Sequence, residues 1–199
     1  GVVLIYSQYI DGGVVPIALA LEELGFTRYG SVPSLFESSP VEQIDINTYQ
    51  PKSLVEKEDF EPAKYIMITG DKYLSPDTNS DIKAATNVNN KNGNKVKVIL
   101  ISQAGSEGID FKFIRQVHIL EPWYNMNRIE QIIGRAVRNC SHRLLEYKKR
   151  NVLIYLYGTV IENENDETIE GIDLYLYRIS EIKALKIGAV TRLLKETSI

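Results

Sequence analysis

At 199 residues, with 44% hydrophobic and 25% charged residues, the chain is long enough for one good-sized core, or for one domain with a helical appendage. A formal net charge of −3 excludes a bulk polycation, so charge gives nucleic-acid binding no support, although phosphates can also be held by backbone amides and a few side chains. The single cysteine, Cys140, permits no internal disulfide, no apolar run reaches the roughly 18 residues of a membrane span, and neither His118 nor His142 has a partner at metal-ligand spacing.

Taken in order, Val2 to Tyr6 reads as a buried strand leading into Ser7-Gln8-Tyr9. Opening inside an apolar strand suggests a domain excised from a longer chain. Gly12-Gly13 is a loop, Pro16 suits the first turn of a helix, Ile17, Leu21 and Leu24 share a face, and Gly25 closes it. Residues 27–64 carry four prolines, a serine pair and an acidic run, and read as an irregular insertion without assigned chemistry. Tyr65 to Ile68 is another buried strand, ending in Thr69-Gly70-Asp71. Ser80 or Asp81 is expected to cap a short helix running to Asn87, and residues 89–94 form a turn.

The densest information lies in residues 98–138. Val98 to Ile101 reads as a buried strand, followed by S-Q-A-G-S-E-G-I-D, a Gly-rich turn that lets backbone N–H groups approach a ligand. Val117 to Leu120 is a second buried strand, ended by Pro122. A helix is expected from Asn125 or Asn127, with Asn127 and Glu130 at the spacing of a capping box. Met126, Ile129, Ile133 and Val137 form its apolar face, while Arg128, Gln131, Arg135 and Arg138 gather in a stripe roughly 80° wide. Such a stripe is either a solvated basic edge or a surface facing an anion. Beyond it, Val152 to Tyr157 is expected to be a buried strand and residues 162–167 an acidic loop. Residues 168–197 follow a helical pattern, as one helix or two, that packs back on the domain or on a further lobe. Strand, helix and strand alternate, so the predicted class is α/β, a parallel sheet with helices on both faces over residues 1–160, with a helical appendage over residues 161–199.

These segments resemble the second RecA-like lobe of superfamily 2 helicases and translocases. Q-I-I-G-R-A-V-R is similar to the family's motif VI and S-Q-A-G-S-E-G-I-D to its motif V, in the same order. V-L-I-Y-S-Q-Y is similar to motif IV of the Swi/Snf-type branch, although any α/β crossover has the same outline. The Thr69-Gly70 step resembles motif IVa, and Thr168-Ile169-Glu170 the T-x-E that opens that branch's closing helix. The resemblance implies an ATP motor in which Arg135 and Arg138 act as arginine fingers with Gln131 beside the γ-phosphate. It places Gly108 and Asp110 near the ribose and phosphates, Asp110 having the alternative of capping the turn. It also implies that Ser7, Gln8, Thr69, Gly70, Ser102 and Gln103 hold a DNA or RNA strand by its phosphates.

Neither a G-x-x-x-x-G-K-[ST] phosphate loop nor an acidic Mg box occurs, so Mg2+-ATP is expected to sit mainly on a first RecA-like lobe. Motif VI lacks the His-Arg opening of the DEAD-box branch, and Asn139-Cys140-Ser141-His142 stands where remodellers show Gly-Gln. The combination E-P-W-Y-N-x-x-R-I-E-Q-I-I-G-R-A-V-R-N-C-S-H looks most like the helicases of nucleocytoplasmic large DNA viruses. That likeness implies partners in viral transcription and a cytoplasmic or virion-associated, reducing location. The alternative is a RecA-like scaffold without motor activity that binds a protein or a strand.

Overall fold

A computed structural model describes residues 1–106, 108–162 and 168–198. Glu107 and the body of the expected acidic loop, 163–167, lie outside the described residues. Six strands form one parallel sheet: β1 (Val2–Tyr6), β2 (Thr27–Arg28), β3 (Lys64–Ile68), β4 (Val98–Ile101), β5 (Ile114–Ile119) and β6 (Leu153–Leu156), in the order β2-β3-β4-β1-β5-β6. The fold is the expected RecA-like α/β class.

The continuous apolar runs follow from burial on both faces. On one face Tyr65, Met67, Val98 and Leu100 pack against Ala18 and Leu21 of helix α1 (Val15–Glu23). On the other, Leu4, Ile66, Ile99, Ile101 and Val117 pack with Ala85 of α2 (Thr78–Thr86) and Ile129, Ile132 and Ala136 of α3 (Met126–Ala136). Gly25 ends α1 with φ +90, as expected, and Phe26 N donates to Leu21 O at 2.9 Å.

The segment between β2 and β3 is irregular, but two buried carboxylates hold it down. Glu22 accepts hydrogen bonds from Leu35 N, Phe36 N and the Tyr65 hydroxyl, the last at 2.6 Å. Burial and Glu22 together push the Tyr65 hydroxyl well above its ordinary range. Asp45 accepts from Asn47 N, Thr48 N, the Thr48 hydroxyl and Glu61 N. Burial works to raise the Asp45 carboxyl, and these donors more than offset it, leaving it below the usual range.

Several expectations are corrected. α2 starts before Ser80 and Asp81, and Asp81 is buried in its first turn. α3 follows Asn125 without a side-chain cap, so no capping box forms at Asn127 and Glu130. It also ends at Ala136, which leaves Val137 55% exposed and off the apolar face. β6 is exposed along its whole length, because it is an edge strand whose faces no described helix covers. The T-x-E segment precedes the closing helix: Thr168–Ile169 (β8) pairs antiparallel with Ile161–Glu162 (β7), and Glu170 grips Arg178 through two hydrogen bonds of 2.8 and 2.9 Å. The closing pattern is one helix, α4 (Ile172–Thr197). Its first half reaches the body through Tyr177, at the edge of the core, and through Lys183, whose ammonium donates to Tyr124 O; its second half exposes Leu185, Ile187, Val190, Leu193 and Leu194.

Candidate functional site

Three turns leave the carboxyl edge of the sheet, the usual ligand side of an open α/β fold. After β1, the buried Ser7 hydroxyl donates to Glu121 Oε1 at 2.7 Å, and Gln8 N donates to Glu121 Oε2 at 3.0 Å. After β3, the buried Thr69 hydroxyl lies 2.9 Å from the Ser75 hydroxyl, while Gly70 is exposed with φ +78. After β4, the buried Ser102 hydroxyl donates to Thr69 O at 2.8 Å and accepts from Gly105 N at 3.2 Å. Of the six residues predicted to meet a strand, the hydroxyls of Ser7, Thr69 and Ser102 therefore point inward and shape the turns. Gly70 and Gln103 are exposed, and Gln8 is half-buried.

Glu121 is the residue that sequence reasoning missed. It stands two positions past β5 and ties the end of β5 to the turn after β1. Its signal was a carboxylate at the carboxyl end of an apolar strand, in the E-P-W segment.

The turn after β4 presses against β3. A Cβ on Gly105 would lie 1.9 Å from Ile68 O, so only glycine fits this approach. Further along, Gly108 (φ +71) sits in open space and turns the chain toward Asp110, which is 63% exposed at its side chain.

Here α3 meets the turn. Arg135 donates from Nη1 to Ile109 O at 2.9 Å, and Arg138, just past the helix, forms an ion pair with Asp110. Gln131, one helical turn before Arg135, is exposed. The fourth member of the predicted stripe departs: the Arg128 guanidinium stacks over the Trp123 ring at 4.3 Å, beside Tyr6. Burial raises the pKa of the Tyr6 hydroxyl and the Arg128 cation holds back part of the rise. The stripe is thus two surfaces, a brace at the start of α3 and a pair of guanidinium groups at its end.

Residues 35–140 match the family model described as the helicase conserved C-terminal domain. The chain belongs to that family, as the second RecA-like domain of a superfamily 2 helicase. A protein of Acanthamoeba polyphaga mimivirus named as a candidate ATP-dependent RNA helicase, R563, is 41% identical over 100 residues, covering 50% of this chain and 17% of its own. The termination factor NPH-I homolog of African swine fever virus is 31% identical over 169 residues, covering 80% and 24%. Nucleoside triphosphatase I of Choristoneura biennis entomopoxvirus is 38% identical over 120 residues, covering 60% and 18%. The chain therefore spans less than a quarter of each of these viral relatives. Among solved structures, the C-terminal part of the Fun30 ATPase domain superposes with a TM-score of 0.50 at 13% identity, over 90% of this chain and 38% of that one, a likeness of fold.

Among the described residues, no group of three or more His, Cys, Asp or Glu is placed to hold a metal ion. The Mg2+ expected with ATP therefore finds no such ligand set among the described residues.

Proposed function

We propose that this helicase domain is the second lobe of an ATP-dependent nucleic-acid motor, supplying Arg135 and Arg138 to the phosphates of ATP held on a first RecA-like lobe. The observation that carries the reading is the convergence of both guanidinium groups on the Ile109–Asp110 turn, with Gln131 exposed one helical turn away. Arg138 and Asp110 are 49% and 63% exposed at their side chains. An ion pair in such surroundings contributes about 0–1 kcal/mol, whereas a phosphate offers the guanidinium fork two charge-assisted hydrogen bonds. Exchanging the carboxylate for a phosphate therefore costs little. Once released, Asp110 is free to accept hydrogen bonds from ribose hydroxyls.

In this reading Gln8, Gly70 and Gln103 meet the strand, through backbone N–H groups and amides, on turns shaped by Ser7, Thr69 and Ser102. The DNA or RNA strand, the first lobe and viral transcription proteins are the proposed partners, in the cytoplasm or the virion. The viral ATPase and helicase names of the relatives support this assignment.

The test is ATP turnover by a protein carrying both lobes. Arg138→Ala should lower kcat by at least about a hundredfold, somewhat under the full arginine-finger range because Arg135 remains. Its thermal transition should stay near wild type. Arg138→Lys should recover little, since an ammonium lacks the fork. Near-normal kcat in both variants would reject the assignment.

A further inference from the structure

Directly behind Arg138 lies an open cleft of about 370 Å3, between the chain entering β5 and the chain leaving α3. Its walls carry Asp110, Lys112, Phe113, Arg138, Cys140 and Arg143. Three cations thus face one carboxylate, on a chain whose formal net charge is −3. Lys112 and Arg143 are exposed, and their side chains make no hydrogen bond or ion pair among the described residues. Like charges gathered this way repel unless an anion joins them.

Backbone conformation gives independent support. Phe113 and Cys140 adopt φ of +65 and +63, a region that bulky side chains rarely enter, and both line the cleft. Phe113 N donates to Ser141 O at 3.3 Å, which joins the two walls. Strain of this kind is retained where the surroundings over-determine it, often at ligand clamps.

We propose that this cleft is an anion site for a phosphate-bearing ligand, with Lys112, Arg138 and Arg143 as its cations. The phosphate is that of a nucleotide tail or of a nucleic-acid backbone. Arg138 is shared with the function proposed above, so the inference rests partly on that reading; Lys112 and Arg143 have no role in it. Guanidinium forks match phosphate oxygens in two parallel hydrogen bonds, and Lys112 adds a point charge at the rim.

The chain's single cysteine supplies the readout, since Cys140 is exposed on the wall of the cleft. Alkylation of Cys140 by a maleimide is followed in the purified chain at low salt, with pyrophosphate or with a short oligonucleotide lacking terminal phosphates. A bound ligand that covers the thiol slows the reaction by the factor of mass action, about tenfold at ten times Kd. Protection by pyrophosphate alone assigns the site to nucleotides, and protection by the oligonucleotide assigns it to the strand backbone. In the double variant Lys112→Ala/Arg143→Ala the protection should be lost at the same concentration, with an unchanged thermal transition. Unchanged alkylation in both arms, or protection that survives in the double variant, overturns the proposal. Protection with normal turnover in Arg138→Ala would keep the cleft and reject the finger role.

Discussion

Asp81 shows how a single side chain sets a pH dependence. It is 5% exposed on the first turn of α2, and burial raises its pKa from 3.8 to about 6, with Arg28 holding back part of the rise and Asp77 adding to it. Between those two values the folded protein keeps a proton that the unfolded chain has released, so stability falls as pH rises through the window and the loss is complete above about pH 6. Asp81→Asn removes that loss. The variant should melt a few degrees above wild type at about pH 8, with the gap closing near about pH 3, below both values. Melting curves at both pH values check this, and an equal gap at the two would contradict it. The same residue shows where sequence reading failed. Asp81 was expected as a cap because Asp favours that position, yet tertiary burial placed it inside the helix.

The elements carry two glycines with opposite expectations. A methyl at Gly105 would meet Ile68 O at 1.9 Å, so Gly105→Ala must displace the turn after β4 from the end of β3. Overpacking of this kind costs about 1–3 kcal/mol. Gly188, in the exposed half of α4, has open space around its missing Cβ, and Gly188→Ala should stabilise by up to about 1 kcal/mol. Thermal melts should move down for the first and up for the second; a shift of the same sign in both would refute the packing account. At this scale the strands were legible, although β5 begins three residues before the expected Val117 and packs Ile114, Val117 and Ile119 on one face, with Arg115, Gln116 and His118 only half-buried. The apolar runs of β1, β3 and β4 mark packing on both faces. β6 carries the same kind of run and lies exposed, because composition does not reveal which strand ends at an edge. The stripe on α3 was legible as spacing, but not its division. Arg128 had Trp123 within reach and turned to it, an encounter that helical periodicity does not encode.

At the scale of the molecule, the sequence motifs and the folded chain meet at one edge. Arg135 and Arg138 meet the Ile109–Asp110 turn from a separate segment of the chain. The six strand-contact candidates divide into three inward hydroxyls, a half-buried Gln8 and the exposed Gly70 and Gln103, because a polar residue past a strand end can serve the turn itself as well as a ligand. The cleft behind Arg138 had no signal in the sequence beyond Arg138 itself, since Lys112 and Arg143 lie in connecting segments to which neither spacing nor motif assigns a role. The central claim is that this domain completes an ATP site without containing one. It is tested most directly by steady-state ATP turnover of the purified 199-residue chain, with and without nucleic acid. Turnover at background in both conditions is the predicted result; hydrolysis above background by this chain alone would contradict the account.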